Sequence, residues 1–466
     1  MKKIMLFCIP AHGHTNPMLA VAAALVRRGN AVRFYSFSQF EEKIRAAGAE
    51  YISCDRFLQE LSAREEAALK EVSTTEMTLQ DLRITKNMTD FLDSEYAEFR
   101  PDAVYTDSVC FWGKLSAWKY KVPMVVSTST FAFNQLSSGY MKNSPKEIFG
   151  LIAGLPRIKR ELNTLEPLGY HVRSVLSLVQ SDNQTDSVVY TSKRIQPCAA
   201  SFSAHYAFVG PSLQTNTLPQ KNAERPLVYI SMGTVINDRP DFYKSCIEAL
   251  RELPVDVIIS CGDAVDPQSL GALPENVQVF PHVDQVELLA KTSVFITHCG
   301  MNSVSESLFM AAPMVLFPQT NEQRAVARRV TELGAGLLLG DDSAEGIRNA
   351  VQKILQEKQY TEAAAECSAD LRACPGAEGA AEFIEQAPHQ AEDDPLARIN
   401  AKAGKYRLLY WAAAAVLAVL IGIFIGKSRF WIAFAAAGIF RGPFDQAVMR
   451  KVYREVTGEE TTPDSL

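Results

Sequence analysis

Short apolar runs alternate with helix-like stretches along the first 210 residues. Asn16 and Pro17 are predicted to open the first helix, because proline is well tolerated in a first helical turn, and Gly29 to close it. Runs that are apolar throughout are typical of central strands in a parallel sheet, which is covered on both faces. The predicted strands are residues 4–9, 31–37, 101–106 and 122–127, with a helix over 110–120 between the last two.

A second series of the same kind begins after residue 226. Pro211, Pro219 and Pro226 break the segment 211–226, which has the polar composition of an interdomain linker. The fold class is therefore α/β, with one domain over 1–210, a second over 227–386, and a cleft between them. The predicted strands of the second domain are residues 227–231, 255–260, 277–280, 294–297 and 314–317.

The C-terminal part of the chain has a different pattern. A polar and basic linker over 387–407 precedes nineteen uncharged residues, 408–426, which are long enough for a transmembrane helix. A buried core helix is the alternative. Residues 430–440, within the tail 427–466, are also apolar but short for a second span, so a hairpin and an interfacial helix both stay open. The flanking residues suit a membrane interface: Lys402, Lys405, Tyr406, Arg407, Tyr410, Trp411, Lys427 and Arg429.

Composition and charge exclude several classes of protein. The chain has 466 residues, 47% of them hydrophobic and 21% charged, as expected for globular domains. A formal net charge of −6 argues against a nucleic-acid partner. The nine cysteines form no Cys-x-x-Cys pair, which favours reduced thiols over a zinc site or disulfides. The apolar run 4–10 is too short for a signal peptide, so we expect the catalytic part in the cytoplasm, anchored to the membrane by the tail.

The segment around His298 has the pattern of an anion site. A strand ending at Thr297 leads through a turn at Gly300 into a helix. Unpaired N–H groups and the positive end of the helix dipole favour a phosphate there, and His298, Asn302 and Glu306 fall near one face. A capping box between Ser303 and Glu306 is the alternative explanation of that carboxylate.

The N-terminal half offers a general base. His14 follows the first strand and faces the predicted cleft, where an imidazole titrates near neutral pH. Asp107 ends another strand and is placed to orient that ring, as in a catalytic triad. Alternatively, His14 is a turn residue and Asp107 a helix cap, and His12 is the rival base.

These motifs together resemble the UDP-glycosyltransferases of glycosyltransferase family one, in their bacterial macrolide-transferring branch. The resemblance covers residues 282–323, with Thr-His-Cys-Gly-Met-Asn-Ser-Val-Ser-Glu at 297–306 as its most specific part, and the family's Gly-His-x-x-Pro turn at 13–17. It implies the GT-B fold, in which two Rossmann-like domains face a cleft. It also implies that His14 is the base and Asp107 its partner.

The same resemblance implies a set of donor-binding residues. His298 would contact the diphosphate, Asn302 and Ser303 the phosphate nearer the nucleoside, and Glu306 the ribose. Glu322 and Gln323 would bind sugar hydroxyls, and a glutamine at 323 favours glucose as the donor sugar. Gln285 would lie near the nucleoside. The set is completed by Gly233 and Thr234 in a second phosphate-facing loop and by His282, Val283 and Gly300 within the main motif.

One position departs from the family pattern. His282 stands where the family usually has an aromatic ring that stacks on uracil. UDP is the expected nucleotide, and a TDP-sugar is the alternative.

The expected reaction is a metal-independent displacement with inversion, onto a small hydrophobic acceptor. The chain has no Asp-x-Asp pair to hold a metal on the diphosphate, so protein dipoles would stabilise the leaving group. Neither a metal nor a cofactor is expected, and the glycines at 334–340 lack the spacing of a dinucleotide fingerprint. A lipid-directed glycosyltransferase is the near alternative, and a non-catalytic nucleotide-sugar binder the distant one.

Overall fold

The structure is a computed structural model of the chain. It describes residues 1–58, 74–141, 145–172, 178, 183–213, 215, 217–222, 224–233, 236–424 and 431–459. Within these ranges the chain forms two parallel sheets, each covered by helices. The α/β fold class is confirmed.

The first sheet has seven strands in the order β3-β2-β1-β4-β5-β6-β7. The strand order reverses between β1 and β4, which pair with each other, and ligands in open α/β sheets bind beyond the carboxyl ends of strands at such a point. The strands are β1 Lys3–Phe7, β2 Ala31–Ser36, β3 Glu50–Ser53, β4 Ala103–Asp107, β5 Met124–Thr128, β6 Ser187–Val189 and β7 Tyr206–Phe208.

The second sheet has six strands in the order β10-β9-β8-β11-β12-β13. Its order reverses between β8 and β11, which are again paired, so both sheets place a switch point at an equivalent position. The strands are β8 Leu227–Ser231, β9 Asp256–Ser260, β10 Val277–Phe280, β11 Thr292–Thr297, β12 Met314–Leu316 and β13 Gly336–Leu338.

Fifteen α-helices lie in the described ranges, and most connect successive strands. They are α1 His12–Arg27, α2 Glu41–Ala46, α3 Thr74–Asn87, α4 Thr89–Phe99, α5 Phe111–Tyr120, α6 Pro145–Leu165, α7 Pro240–Leu250, α8 Gln285–Lys291, α9 Met301–Phe309, α10 Asn321–Glu332, α11 Ala344–Gln356, α12 Lys358–Arg372, α13 Gly376–Gln386, α14 Pro395–Phe424 and α15 Trp431–Thr457.

The first helix begins earlier than the sequence pattern indicates. The prediction that Asn16 and Pro17 open it is wrong, because α1 starts at His12 and contains Pro17. The N–H groups in the first turn of a helix need no partner within the helix, so the segment from His12 to His14 can already be helical soon after β1. His14 therefore lies in the first turn of a helix rather than in a loop.

Helix α13 returns to the first half of the molecule. Its residues Ala380, Ala381 and Ile384 are buried in the same apolar core as α1. Arg28 donates to Glu385 over 2.7 Å and adds a polar contact at the edge of this interface. The chain therefore crosses back to the first domain after α12, within the range that the sequence assigns to the second.

Helices α14 and α15 form an antiparallel pair. Arg407 pairs with Asp445 at 3.0 Å, and the Tyr410 hydroxyl donates to the carbonyl of Ala437 over 2.6 Å. By length and composition, Pro395–Leu420 is the one helix of the described ranges that could cross a membrane. The helix starts well before residue 408, where the predicted span begins, and α15 returns along it.

Candidate active site

His14 and Asp107 meet at the switch point of the first sheet. His14 follows β1 and Asp107 ends β4, so the neighbouring strands bring Nδ1 of the imidazole to 2.7 Å from Oδ2 of the carboxylate. Asp107 is fully buried, and its other oxygen accepts from the backbone N–H of Val109 over 2.9 Å. This hydrogen bond places the proton on Nδ1 and leaves Nε2 with a free lone pair.

Ser129 is a third member of this group that the sequence reasoning missed. Its hydroxyl lies 3.1 Å from Nδ1 of His14. Ser129 directly follows β5, the strand next to β4, so its place at a carboxyl strand end was the available signal. The hydroxyl and Asp107 together fix the orientation of the ring.

The imidazole of His14 holds a proton more tightly than a free histidine does. Burial lowers its pKa, but the charge and hydrogen bond of Asp107 raise it more, so the pKa of His14 lies above the ordinary value of 6.5. The carboxylates of Glu322 and Asp81 add to this rise. Glu322 belongs to the second half of the molecule, so its charge acts on His14 across the cleft.

His12 has a different environment. Its ring contacts the edge of Phe40, with centroids 4.9 Å apart, and burial together with Lys43 lowers its pKa. No carboxylate of the described residues is paired with it in the way that Asp107 is paired with His14. The geometry favours His14 over His12 as the base.

Two glycines enclose the ring of His298 at the switch point of the second sheet. A Cβ atom at Gly233 would lie 2.5 Å from Cε1 of this ring, and one at Gly300 would lie 2.5 Å from Nε2. Gly233 also has a φ of 79°, which favours glycine. The sequence thus needs glycine at both positions to seat the imidazole.

His298 is neutral and incompletely hydrogen-bonded. Burial lowers its pKa to about 4. Within the described ranges, its buried Nδ1 has no hydrogen-bond partner. A buried ring nitrogen without a partner, beside the first turn of α9, is suited to an incoming phosphate oxygen.

The loop after β8 is only partly described. Thr234, a predicted donor contact, lies outside the described residues. Asn237, which the sequence reasoning missed, is buried and donates to the carbonyl of Gly233 over 3.0 Å. It holds the loop that carries Gly233 against His298, and its isolated position in the sequence gave no signal.

Gln285, Ser303 and Glu306 form one hydrogen-bonded group. The Gln285 amide donates to Glu306 over 2.6 Å and to the Ser303 hydroxyl over 3.2 Å. Glu306 therefore does not form the alternative capping box with Ser303, and α9 is capped at Gly300. Burial raises the pKa of Glu306 to about 7, although the hydrogen bond from Gln285 lowers it.

His282 and Val283 follow β10 at the same edge of the sheet. His282 is 66% exposed, and its Nε2 lies 2.9 Å from a carboxylate oxygen of Asp263. A ring this exposed is free to stack on a ligand. Val283 is partly buried and packs against the core below α9, so its side chain supports the site from behind.

The residues predicted to bind the sugar lie at the start of α10. Glu322 is exposed in the first turn. Gln323 instead completes a capping box with Thr320, in which its side-chain oxygen accepts from the backbone N–H of Gln319 over 2.8 Å and of Thr320 over 3.2 Å. Its oxygen is therefore occupied by the helix start.

Asn302 bridges the two halves of the molecule. Its side-chain amide donates to the carbonyl of Gly13 over 3.0 Å. Asn302, the predicted phosphate contact, therefore bonds to the residue that precedes the predicted base His14 and lies in the opposite wall of the cleft. Two Rossmann-like halves that meet at such a cleft form the GT-B architecture of glycosyltransferases.

Comparison with known proteins agrees with this class. Residues 212–372 match the family model described as UDP-glucoronosyl and UDP-glucosyl transferase. The NDP-glycosyltransferase YjiC of Bacillus licheniformis is 32% identical over 395 residues, which cover 82% of this chain and 97% of that protein. The demethyllactenocin mycarosyltransferase of Streptomyces fradiae is 29% identical, over 83% of this chain and 86% of that protein.

A solved structure shows that the likeness extends to the fold of most of the chain. The calicheamicin glycosyltransferase CalG4 is 25% identical and superimposes with a TM-score of 0.69, covering 84% of this chain and 100% of that chain. The chain belongs to the UDP-glycosyltransferase family, and it is a glycosyltransferase of the hexosyltransferase type.

Proposed function

We propose that this enzyme transfers a hexose from a UDP-sugar to a hydroxyl of a small hydrophobic acceptor, with inversion at the anomeric carbon. The observation that carries the proposal is the hydrogen bond between His14 and Asp107, placed opposite the His298 anion site. The cleft between them holds a base on one wall and a phosphate site on the other.

In this mechanism Nε2 of His14 takes the proton of the acceptor hydroxyl. The oxygen attacks the anomeric carbon as the bond to the diphosphate breaks, and Asp107 stabilises the imidazolium that forms. The negative charge on departing UDP is stabilised by the first turn of α9 and by His298. An α-linked donor would give a β-glycoside.

Neither a metal nor a cofactor takes part in the proposed reaction. The sequence has no Asp-x-Asp pair, and the helix start with its adjacent imidazole offers an alternative means of stabilising the leaving group. The UDP-sugar itself is a co-substrate.

The donor proposal is a UDP-hexose, and glucose is the first sugar to test. The hydrogen bond between Gln285 and Glu306 of α9 supports assigning both residues to the ribose end of the donor. The exposed ring of His282 offers less stacking area than an indole, so TDP-glucose is the donor to compare with UDP-glucose.

The proposed acceptors are natural products such as macrolides and phenols. The support is that similar proteins are named for such acceptors, as a demethyllactenocin mycarosyltransferase and a calicheamicin glycosyltransferase. A membrane lipid is the second candidate, because α14 exposes large apolar side chains beyond the part that packs on the first domain.

We further propose that the enzyme works at a membrane with its catalytic domains in the cytoplasm. The support is the apolar length of α14 and the basic residues before it. UDP-sugars are supplied on that side.

The test is release of UDP with UDP-glucose, in the presence of a panel of phenols, macrolides and lipids. His14→Ala should lower the turnover by about 10²- to 10⁴-fold, since general base catalysis contributes that much. His12→Ala is the matched control, because it removes a neighbouring imidazole that does not contact Asp107. Equal turnover of His14→Ala and the unaltered enzyme would overturn the assignment of the base.

A further inference from the structure

The α14–α15 pair divides into two parts with different surroundings. In the part nearest the catalytic domains, which we call the hairpin base, Ile399, Ala403, Val452 and Tyr453 are buried together with Leu136 of the first domain. The Asn400 amide adds a hydrogen bond of 3.1 Å to Gln135. The base is therefore a packed extension of the first domain.

The part beyond residue 407 is called the hairpin arm, and most of its residues over 408–420 are exposed and apolar. Of residues 411–420, only Ala414 and Ala418 are buried, one helical turn apart. The large apolar side chains around them are open, with Val416 and Val419 exposed to 60% and 61%. A helix that is apolar on nearly all sides is suited to lipid, because exposing apolar surface to water costs free energy.

The contacts along the pair fix its direction. Lys402 pairs with Glu455 at 2.8 Å and Arg407 with Asp445 at 3.0 Å, and the Tyr410 ring stacks on Phe444 with centroids 4.2 Å apart. As residue numbers rise on α14, those of its partners on α15 fall. Both ends of the arm therefore lie at the level of Arg407 and Asp445, beside the catalytic domains.

The dimensions and charge of the arm match a bilayer. From Leu408 to Phe424, α14 rises ~25 Å, against a hydrocarbon core of ~30 Å. Aromatic rings stand at its start, at Tyr410 and Trp411, as at a membrane interface. Basic residues outnumber Asp445 and Glu455 around the base, which suits anionic headgroups: Lys402, Lys405, Arg407, Arg441, Arg450, Lys451 and Arg454.

We infer that the arm enters and leaves an anionic bilayer through the same face, so that residue 459 lies on the side of the catalytic domains. The inference rests on the proposed membrane location and replaces a single span with a returning hairpin. We infer that the lipid bilayer covers the apolar surface of the arm. A second copy of the chain is the alternative partner for the same surface.

The membrane contact is tested by flotation of the full-length protein with vesicles of phosphatidylglycerol and phosphatidylcholine. Val416→Asp should reduce vesicle binding on the order of 100-fold, the cost of one charge in an apolar segment. Leu218→Asp is the matched control, since Leu218 is equally exposed at 60% but lies outside the arm. Unchanged UDP release by both variants, measured with a soluble acceptor, shows that they fold.

If the protein is dimeric in solution and does not float with the vesicles, the apolar surface belongs to a contact with a second copy, and both the membrane location and the hairpin are overturned. The hairpin is tested separately by fusing either green fluorescent protein or alkaline phosphatase after residue 466. Fluorescence without phosphatase activity, in cells whose membranes retain the enzyme, is the expected result. Active phosphatase with the protein still bound to the membrane would place the C-terminus on the far side and overturn the hairpin alone.

Discussion

The Asn302 amide donates to the carbonyl of Gly13 because Pro17 leaves that carbonyl without a helical partner. In an α-helix the N–H of residue 17 would bond to the carbonyl of residue 13, and proline has no N–H. The freed oxygen accepts from Asn302 over 3.0 Å instead. A proline within α1 thus creates a contact between the two walls of the cleft.

Restoring the missing N–H should weaken this contact. Pro17→Ala gives the carbonyl of Gly13 a hydrogen-bond partner within α1. The hydrogen bond from Asn302 to that carbonyl should then contribute less to stability. We expect Pro17→Ala and Asn302→Ala to be coupled by about 0.5 to 1 kcal/mol in the free energy of unfolding, measured by urea titration of the two single variants and the double variant.

Asn30 offers a control for this double-mutant cycle, because it is an asparagine beyond the C-terminal end of α1, where its amide donates to the carbonyl of Leu25. Pro17→Ala and Asn30→Ala should add independently. Strict additivity of Pro17→Ala with Asn302→Ala would contradict the proposed competition.

The pH dependence of turnover should report the charge of Asp107. Because the pKa of His14 lies above 6.5, the base is neutral only at higher pH, and the rate should rise as pH increases through that pKa. Asp107→Asn removes the main raising influence, so the acid limb of the kcat profile should move to lower pH. The maximal kcat should also fall by about 100-fold or more, since the imidazolium loses its partner.

Asp90→Asn is the control for this profile, because Asp90 is an exposed aspartate in the first turn of α4. Its profile should match that of the unaltered enzyme. An acid limb that stays in place in Asp107→Asn would mean that another group limits the rate.

The position of the His298 ring can be changed by a substitution at the neighbouring residue Gly300. Gly300 has an ordinary φ of −62°, so Gly300→Ala adds only a Cβ that would lie 2.5 Å from Nε2 of His298. The imidazole must shift, and we expect affinity for UDP, measured by calorimetry, to fall about tenfold, the loss of one hydrogen bond to a charged group.

Gly340→Ala is the matched control for Gly300→Ala, since no described atom lies within 4 Å of a Cβ atom placed at Gly340. It should leave UDP affinity unchanged. If Gly300→Ala bound UDP normally, His298 would not be the residue that holds the diphosphate.

Glu306 should make the stability of the empty enzyme depend on pH. Its pKa of about 7 in the folded protein exceeds 4.5, so the folded state holds the proton more tightly and stability is lost as pH rises between these values. Glu306→Gln removes that loss. It should be more stable than the unaltered protein by about 1 to 3 kcal/mol at pH 8, and not at pH 4.5.

Urea titrations at the two pH values measure this difference. Glu362→Gln, at an exposed position of α12, is expected to change stability little at either pH. A gain for Glu306→Gln that is equal at both pH values would exclude titration of Glu306 as its cause.

The strands that carry the site could be predicted, and the short edge strands could not. β1, β4, β8 and β11 are continuous apolar runs because both faces of each are covered, so their pattern is unambiguous. The edge strand β7 and its neighbour β6 have three residues each, too few to show a period.

Site residues that directly follow a predicted strand could be predicted from the sequence. Contacts that depend on tertiary packing were harder to predict. His14 and Asp107 follow neighbouring strands, so their approach could be expected. Ser129 needed the strand order to be known. The pairing of Gln285 with Glu306 joins residues on different helices, and the local sequence suggested a cap instead.

The return of α13 to the first domain determines which half of the enzyme can move. The chain passes between the halves twice, through residues 211–226 and again between Arg372 and Gly376, so any opening of the cleft must turn about these two crossings. The hairpin base is packed on the first domain. In the proposed membrane location the first domain is held at the lipid surface, so exchange of spent nucleotide for fresh donor would require the second domain to move towards the solvent.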